Sequence, residues 1–437
     1  VLKSYLRWVP YGNRIHGIRY AARRYLDKPV EDLSWAEIAF LAAIPQSPSR
    51  MNPYSSMGRY RAIQRGRRLL QGLQAQQVLT HEELELALAE LHNIEMPTRE
   101  DRPAAAMHAI LQLQQQLAHA KVKNQYLQQP LFKTSIDLGL QRKVLDTAQP
   151  LIKNWRHRGA GNLSLIILDR QSNQVLTWLG SADYFDQAHN GAIDFTQIKR
   201  SSGSTLKPFI YALALQRGTI NANTVLDDLP LAGFPVRNSD YRYLGPLLPR
   251  QALSNSRNIP AVALLNKVGL DNTYGLFREL ALHQSALPAS YFGQGLALGS
   301  LHVRLQDLVR AYSVLANDGR YRDLQWFFDG NDAQDSDRQG KQVISAATAR
   351  LITLFLSDPV ARLPTFSRMG TTEYAFPVAL KTGTSQGYRD AWTVAYTKKY
   401  IVAAWVGNAS PRPMYKLGGA GSAAVLVQQV LLQLHND

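Results

Sequence analysis

Apolar positions recur at helical spacing through the first 75 residues of the chain. A capping box at Ser34 and Glu37 begins one predicted helix, and a second capping box at Thr80 and Glu83 begins another. The glutamine-rich segment 111–129 is typical of a long helix or a connector. These patterns predict a helical region over residues 1–75 and a helical linker over residues 76–130.

From about residue 131 the pattern changes to short β-type apolar runs interspersed with helical ones. Two of these runs, 163–169 and 174–179, are separated by a turn and predict a β-hairpin. Strands and helices in this order favour an antiparallel sheet covered by helices on both faces, an α+β fold over residues 131–437. The predicted strands are 132–136, 163–169, 174–179, 378–384, 391–396 and 400–406, and the predicted helices are 138–155, 251–265, 303–316, 346–356 and 423–434.

Composition narrows the class of protein without identifying its partner. A chain of 437 residues is too long for one ordinary core, so two domains, or one large and one partial domain, are expected. The 45% hydrophobic and 19% charged residues are typical of a globular protein, and no run of about 18 apolar residues predicts a membrane span. The lack of cysteine excludes disulfides and thiolate metal sites. The net charge of +16 predicts attraction to anionic partners such as nucleic acid, anionic lipid or cell-wall polymer.

One predicted helix start carries a candidate nucleophile. Pro208 fits only the first turn of a helix, so this helix is expected to begin at about Ser204 or Thr205. Ser204 then lies at the positive end of the helix, with the amine of Lys207 within reach of its oxygen. A lone Ser-x-x-Lys is more often an ordinary serine N-cap beside a solvated lysine.

Two further short motifs lie downstream. Ser256-Arg-Asn258 precedes a helical run, and Lys381-Thr-Gly-Thr384 ends a predicted strand. Each alone is commonly a helix cap or a strand end. Together with the Ser-x-x-Lys pair, at intervals of roughly 50 and 125 residues, they form the motif set of β-lactamases and penicillin-binding proteins. The three motifs in this order predict that Ser204 is catalytic.

The residue types of the first two motifs suit acyl transfer. Ser204 must lose a proton to attack a carbonyl carbon, and Lys207 can accept that proton only if its pKa is lowered. Partial burial of the amine and the positive charge of Lys381 would both lower that pKa. Ser256 is suited to relay a proton between the two lysines and the leaving amine. The amide of Asn258 can hold the substrate backbone.

The third motif has groups that suit the carboxyl end of a substrate. The Lys381 ammonium and the hydroxyls of Thr382 and Thr384 can receive a terminal carboxylate through charge-assisted hydrogen bonds. Gly383 allows a substrate strand to approach the sheet edge closely. The backbone N–H groups of Ser204 and Thr384 are candidates for an oxyanion hole.

Other short patterns are rejected on context. Ser385, between Gly383 and Gly387, matches a nucleophile elbow, but that motif needs a helix directly after the serine and the next run is β-type. The glycines from Gly293 to Gly299 have the wrong spacing for a dinucleotide loop. The histidines include no His-x-x-x-His pair, so no metal and no cofactor are expected. Nucleic-acid binding would rest on net charge alone and is not expected.

Residues 131–437 resemble the transpeptidase domain of class A penicillin-binding proteins. The resemblance implies a penicillin-binding, β-lactamase-like fold and a peptidoglycan DD-transpeptidase that crosslinks stem peptides ending in D-Ala-D-Ala through a Ser204 acyl-enzyme. It also implies acylation by β-lactams, an extracytoplasmic location, and other cell-wall synthesis proteins as partners. The segments that carry the resemblance are 203–211, 256–262, 315–319, 381–385 and 390–392.

Residues 1–75 resemble the C-terminal part of a family 51 glycosyltransferase domain, through segments such as 5–12 and 45–48. In that family the catalytic glutamates and the membrane anchor lie upstream of the position that matches Val1. Glu31 and Glu37 match the later, structural part of the pattern and are not substitutes. The resemblance therefore implies no glycosyltransferase activity for these 437 residues.

Two alternatives remain open from the sequence. The same motifs serve D,D-carboxypeptidases and β-lactamases, in which water rather than an amine reaches the acyl-enzyme. A β-lactam-binding sensor, or a scaffold in a wall-building complex, would keep acylation but lack turnover. The glycosyltransferase-like segment favours the crosslinking of strands.

Overall fold

A computed structural model of the chain describes residues 1–96, 103–118, 132–230, 236–327 and 340–436. The chain divides into two compact units, one formed by residues 1–102 with 117–132 and the other by residues 103–116 with 133–437. The domain bounds placed at residues 75 and 130 stay a prediction. From residue 119 on, the predicted helix 111–129 lies outside the described residues.

The first unit is a set of helices packed around one face of α3, on which most of its residues are buried. Both predicted capping boxes form: the Ser34 hydroxyl accepts from the Glu37 N–H at 3.3 Å, and Thr80 caps α5 in the same way. Leu84 and Leu91 of α5 are buried in the same core, so this part of the predicted linker packs within the unit. The described elements are α1 (Leu2–Trp8), β1 (Pro10–Gly12), β2 (Ile15–His16), α2 (Ile18–Leu26), α3 (Trp35–Ala43), α4 (Ser56–Ala75) and α5 (His81–His92).

The second unit contains the larger sheet. The described helices from here on are α6 (Met107–Ala118), α7 (Leu138–Trp155), α8 (Lys207–Gln216), α9 (Pro249–Ser254), α10 (Asn258–Val268), α11 (Leu270–Glu279), α12 (Ala289–Phe292), α13 (Leu305–Ala316), α14 (Ala346–Ser357) and α15 (Ala423–Asn436). The strands are β3 (Asn162–Asp169), β4 (Val175–Leu179), β5 (Arg200–Ser201), β6 (Leu226–Asp228), β7 (Gly245–Leu247), β8 (His302–Val303), β9 (Arg320–Tyr321), β10 (Lys341–Gln342), β11 (Ala379–Thr384), β12 (Asp390–Tyr396) and β13 (Tyr400–Gly407).

Within the described residues, the main sheet is antiparallel with the order β11-β12-β13-β3-β4. Strands β3 and β13 form its centre. They pair in continuous register along their whole length, from Tyr400 opposite Asp169 to Gly407 opposite Asn162. The predicted hairpin of β3 and β4 is confirmed. This order leaves β11, the strand that carries the Lys381 motif, at one edge of the sheet.

Helices cover both faces of this sheet. Leu163, Leu165 and Ile167 form a buried cluster with residues of α7 and α15 on one face. Ile166 and Leu168 point to the other face by the period of two, where α13 packs on β3 and β13 and α14 packs on β11. A strand buried on both faces needs an apolar side chain at nearly every position, which explains the continuous apolar run. The predicted α+β fold is confirmed.

The strand predicted at 132–136 does not form. In the part of the chain that the structure describes, an isolated bridge joins Thr134 to Phe327. The N–H of Ser135 bonds to the Trp326 carbonyl, whereas its hydroxyl bonds to the carbonyl of Val175 on β4. Because its partners lie on two different segments, no continuous ladder extends along this stretch.

The Leu165→Ala variant should lower the free energy of unfolding by about 2–5 kcal/mol, because it leaves a cavity at a fully buried position of the central strand. Chemical denaturation followed by tryptophan fluorescence measures this change. Leu354→Ala removes the same atoms from a side chain that is 64% exposed and should change stability by less than about 0.5 kcal/mol. Equal losses in the two variants would contradict the assigned packing.

Candidate active site

Ser204 lies in a turn that leads from β5 into α8, and the helix begins at Lys207, later than the sequence predicted. Two features prevent an earlier start. Pro208 has no N–H to donate to the Ser204 carbonyl. The Thr205 carbonyl instead accepts a hydrogen bond of 2.6 Å from the Tyr312 hydroxyl. Ser204 is half-buried, so its side chain keeps access to solvent.

The sheet holds the start of this turn. The indole N–H of Trp392, on β12, donates to the Ser201 carbonyl at 2.8 Å. Gly203 has a φ of +53°, and a Cβ at that position would lie 2.7 Å from the Thr384 carbonyl oxygen. Only glycine allows this conformation and this close approach. The turn with the candidate nucleophile is therefore fixed directly against the edge strand β11.

The Lys207 side chain is buried, and its amine contacts the segment that contains the second motif. Nζ donates to Asn258 Oδ1 at 2.6 Å, to the Ser256 carbonyl at 2.7 Å and to the Arg257 carbonyl at 3.2 Å. Burial lowers the pKa of Lys207 well below its ordinary value, and the charges of Lys381 and Arg257 lower it further. The lowered pKa eases the loss of one proton from this amine, as the role of general base requires.

Ser256 separates two helices and contacts the second lysine. Its φ of +58° is left-handed, which ends α9 and replaces the single helix predicted over 251–265 by α9 and α10. Lys381 Nζ donates to Ser256 Oγ at 2.7 Å and to the Thr382 carbonyl at 2.7 Å. Burial lowers the pKa of Lys381 to about 7. A left-handed residue of this kind costs on the order of 1–3 kcal/mol and commonly occurs where it aims a functional side chain.

The contacts of the two lysines bring all three motifs together around Ser256. Lys207 reaches it from the first motif and Lys381 from the third. Ser204 lies beside the third motif, since a Cβ on Gly383 would be 3.4 Å from the Ser204 backbone nitrogen. Among the hydrogen bonds of the described residues, none joins the Ser204 hydroxyl to either lysine. The two lysines thus meet at Ser256, and the Ser204 backbone lies beside the third motif.

The edge of β11 presents backbone donors beside the turn. The Ser385 N–H bonds back to the Asp390 carbonyl of β12, so the N–H of Thr384, one residue earlier, points away from β12. In the described part of the chain no hydrogen bond uses the Ser204 N–H. The two predicted oxyanion-hole donors therefore lie on adjoining backbone segments.

The two threonines of the third motif differ in exposure. Strand alternation puts Thr382 and Thr384 on the face opposite the Lys381 side chain. Thr384 is exposed, and its hydroxyl oxygen accepts from the Gly419 N–H at 3.0 Å, which leaves its own hydrogen able to donate. Thr382 is buried. A ligand carboxylate at this edge could reach the Thr384 hydroxyl directly, while the Lys381 amine is engaged by Ser256.

The amide of Asn258 is held at both ends. Its Oδ1 accepts from Lys207, and its Nδ2 donates to the Arg237 carbonyl at 2.7 Å. Because an amide nitrogen carries two hydrogens, one N–H remains for a substrate. The Asn258 side chain therefore combines a structural contact with a possible ligand contact.

No pattern in the sequence indicates the residues that hold the second motif in place. Arg257 Nε donates to Asp228 at 2.7 Å, and both side chains are buried. Asn238 Oδ1 accepts from the Asn258 N–H at 2.8 Å. The one available clue was Arg257 itself, a charged residue between two apolar runs, and nothing in the sequence near Asp228 marks it as the partner.

The two short patterns that the sequence analysis rejected, at Ser385 and at residues 293–299, do not form the sites that their motifs would suggest. The buried Ser385 hydroxyl donates to the Asp390 carboxylate at 3.0 Å and accepts from the Asp390 N–H at 2.8 Å. A three-residue 3-10 turn, Gln386–Tyr388, and then strand β12 follow, rather than the α-helix that a nucleophile elbow needs. The first glycines of the 293–299 run follow the short helix α12 rather than a strand. Among the described residues, no group of three ligating side chains could hold a metal ion. In the same residues, no helix has both the length and the hydropathy to cross a membrane.

Comparison with known proteins assigns the chain to a family. Residues 163–430 match the family described as penicillin binding protein transpeptidase domain, and residues 1–74 match the family described as transglycosylase. Penicillin-binding protein 1C of Escherichia coli (strain K12) is 30% identical, over 98% of this chain and 53% of its own length. Penicillin-binding protein 1A of Neisseria flavescens is 24% identical, over 98% of this chain and 67% of its own length. The chain thus spans about half the length of the first of these relatives.

Solved structures share the fold. A crystal structure of penicillin-binding protein 1A from Haemophilus influenzae matches 98% of this chain and 85% of its own, with a TM-score of 0.63 at 19% identity. PonA1 from Mycobacterium tuberculosis matches 75% of this chain and 89% of its own, with a TM-score of 0.59 at 21% identity, and has also been solved in complex with penicillin V. At these identities the likeness shows the fold alone. Since the transpeptidase match covers more than half of the chain and the transglycosylase match precedes it, this chain belongs to the class A penicillin-binding proteins.

Proposed function

We propose that this chain catalyses acyl transfer in peptidoglycan synthesis as a serine D-Ala-D-Ala transpeptidase with Ser204 as its nucleophile. The observation that carries the proposal is the pair of buried lysines on Ser256, Lys207 at its carbonyl and Lys381 at its hydroxyl. A buried amine with a lowered pKa near an accessible serine is the combination that activates a hydroxyl. The proposed substrates are stem peptides ending in D-Ala-D-Ala, and the proposed covalent inhibitors are β-lactams.

The first step forms an ester. The Ser204 oxygen attacks the carbonyl carbon of the penultimate D-Ala, and its proton passes to the neutral Lys207 amine. The N–H groups of Ser204 and Thr384 stabilise the negative charge that develops on the carbonyl oxygen. The bond to the terminal D-Ala nitrogen then breaks, and the proton held by Lys207 passes through the Ser256 hydroxyl to that leaving amine.

The second step transfers the acyl group. An amine of a neighbouring stem peptide attacks the ester carbon and gives its proton to the same relay, and the Ser204 oxygen leaves and takes a proton back. During both steps the free N–H of Asn258 and the edge at Gly383 hold the donor peptide. In the first step, the Thr384 hydroxyl and the Lys381 charge bind the terminal carboxylate of the donor peptide.

The reaction belongs on the outer side of the bacterial inner membrane, where peptidoglycan and other wall-synthesis proteins are found. A D,D-carboxypeptidase or β-lactam hydrolase is the second candidate, since the same groups could direct water to the ester. A non-catalytic scaffold that binds β-lactams is the third. The transglycosylase match at residues 1–74 supports crosslinking over both.

The Ser204→Ala variant should lose covalent labelling by a fluorescent penicillin, because no hydroxyl remains to form the ester. In-gel fluorescence after denaturation measures the labelled fraction. Ser385→Ala removes the serine of the rejected nucleophile-elbow pattern and should still be labelled, which makes it the control. Full labelling of the Ser204→Ala protein would exclude this serine from the mechanism.

The product formed from a D-Ala-D-Ala peptide should depend on an added amine. A transpeptidase should transfer the acyl group from the Ser204 ester to the amine, so that the amide product increases with the amine concentration while D-Ala release continues. Chromatography of both products measures this partition. Hydrolysed product alone at every amine concentration would favour the carboxypeptidase, and labelling without D-Ala release would favour the scaffold.

Acylation by a β-lactam carboxylate should weaken relative to its methyl ester as the pH rises through about 7. The pKa of Lys381 is lowered to about 7, so its ammonium charge is present below that pH and is lost above it. Titration of Lys207 affects the acylation rate constants of both ligands alike, so it cancels in their ratio. The pH dependence of the ratio therefore reports the attraction between the Lys381 charge and the ligand carboxylate. A ratio that does not change with pH would contradict the role given to Lys381.

A further inference from the structure

We propose that the buried Arg257–Asp228 ion pair positions Ser256 and Asn258 at the site and sets the charge around the Lys207 amine. The inference rests on the proposed function and adds to it a pair of positioning residues that do not touch the substrate.

The ion pair is buried and fully bonded. The side chains are 2% and 0% exposed, and Arg257 Nε lies 2.7 Å from Asp228 Oδ2. The same carboxylate accepts from Asn238 Nδ2 at 2.7 Å and from the Leu244 N–H at 2.9 Å. A buried carboxylate that accepts from several donors fixes the orientation of the guanidinium that it binds.

The remaining donors of Arg257 engage the loop formed by residues 236–244. Nη1 donates to Asp240 at 2.9 Å, and Nη2 donates to the Arg242 carbonyl. This loop also binds Asn258 twice, through the Asn238 side chain and the Arg237 carbonyl. The neighbours of Arg257 on both sides are the two functional residues of the motif, so fixing this arginine fixes them.

The backbone at Ser256 explains why such a clamp is needed. Its left-handed φ of +58° is unfavourable for a serine and persists only when surrounding contacts impose it. On one side, Asn255 is tied by its amide to the Ala361 and Leu363 carbonyls. On the other side, the Arg257–Asp228 pair supplies the anchor. Ser256 is therefore held between two buried polar anchors with its hydroxyl directed to Lys381.

The same pair contributes to the charge around the first lysine. The charged groups that face Lys207 are Lys381 on β11, Arg257 before α10 and Asp228 on β6. Tyr211, one turn along α8, stays neutral because burial and the Asp228 charge both raise its pKa. The positive charges lower the pKa of Lys207, whereas Asp228 raises it, so the two members of the pair act on the amine in opposite directions.

Because the two residues act on the Lys207 pKa in opposite directions, their variants should shift the pH dependence in opposite directions. A general loss of structure would not produce opposite shifts. The acid limb of the pH profile is the rise of the acylation rate as Lys207 loses its proton. Asp228→Asn leaves the arginine charge unbalanced, which disfavours the Lys207 ammonium and should move this limb to lower pH. Arg257→Gln leaves the carboxylate unbalanced and should move that limb to higher pH. At a fixed pH on this limb, the acylation rate constant of Asp228→Asn should be roughly tenfold above the wild-type value, and that of Arg257→Gln roughly tenfold below it. The Asp228→Asn/Arg257→Gln double variant should return close to the wild-type limb.

The measurement is the second-order acylation rate constant for a chromogenic β-lactam between pH 5 and pH 10, taken on the full chain at about unit steps. Arg257→Lys keeps the charge but loses the forked contacts, so its limb should stay in place while its plateau rate falls. Arg350→Gln and Asp318→Asn break an exposed ion pair with bonds of 2.9 Å and should leave both limb and plateau unchanged. Shifts of both buried-pair variants in the same direction, or no shifts, would overturn the proposal.

Two additions keep the test decisive. Should the single variants fail to fold, as judged by thermal unfolding, Asp240→Asn serves in their place, because this partner is 36% exposed. Its loss removes one contact that holds Arg257 and should lower the plateau rate while the limb stays in place, and an unchanged plateau would contradict the positioning role. NMR titration of the Lys207 side chain, with lysine labelled at Cε and assigned by Lys207→Met, reports the same shifts without any acylation. Absence of acylation in the wild-type protein would refute the proposed function, whereas unshifted titrations would refute the positioning pair.

Discussion

The amine of Lys207 is buried among neutral oxygen acceptors, and the arrangement of the site depends on this interaction. Its three hydrogen bonds all go to residues 256–258, so a single side chain joins the nucleophile's helix to the second motif. The three acceptors match the three hydrogens of the ammonium form, but none of them carries the full negative charge that would raise the pKa of the amine. Burial then lowers the pKa of the amine while its position stays fixed.

The sheet provides the frame on which these segments meet. Its central strands are apolar on both faces, and helices cover both, so the strands are held rigidly up to the edge at β11. That edge has a strand neighbour on one side only, which leaves the backbone around Thr384 able to approach the turn at Gly203. Trp392 connects the sheet to the turn that carries Ser204, because its ring is buried on β12 and its N–H donates to the Ser201 carbonyl. The reactive groups therefore lie on a rigid support rather than on free loops.

Strain and charge are concentrated in the second motif. Ser256 takes a left-handed conformation between two helices, and the flanking residues hold it there through buried polar contacts. A buried ion pair such as that of Arg257 and Asp228 adds little net stability, because desolvation offsets the attraction. Its contribution is orientation, since the directions of its hydrogen bonds fix the backbone next to the serine and the asparagine.

The sequence alone determined the class of fold and the identity of the candidate groups. Continuous apolar runs and capping boxes are local features, so β3, β13, α3 and α5 could be predicted from their own residues. The order of the three motifs likewise indicated Ser204, Lys207 and Lys381. Only the tertiary structure decided that α8 begins at Lys207, that a break at Ser256 replaces one helix by two, and that Asp228 faces Arg257. These depend on contacts between segments far apart in the chain, such as the Tyr312 hydroxyl on the Thr205 carbonyl, which leave no periodic pattern in the sequence.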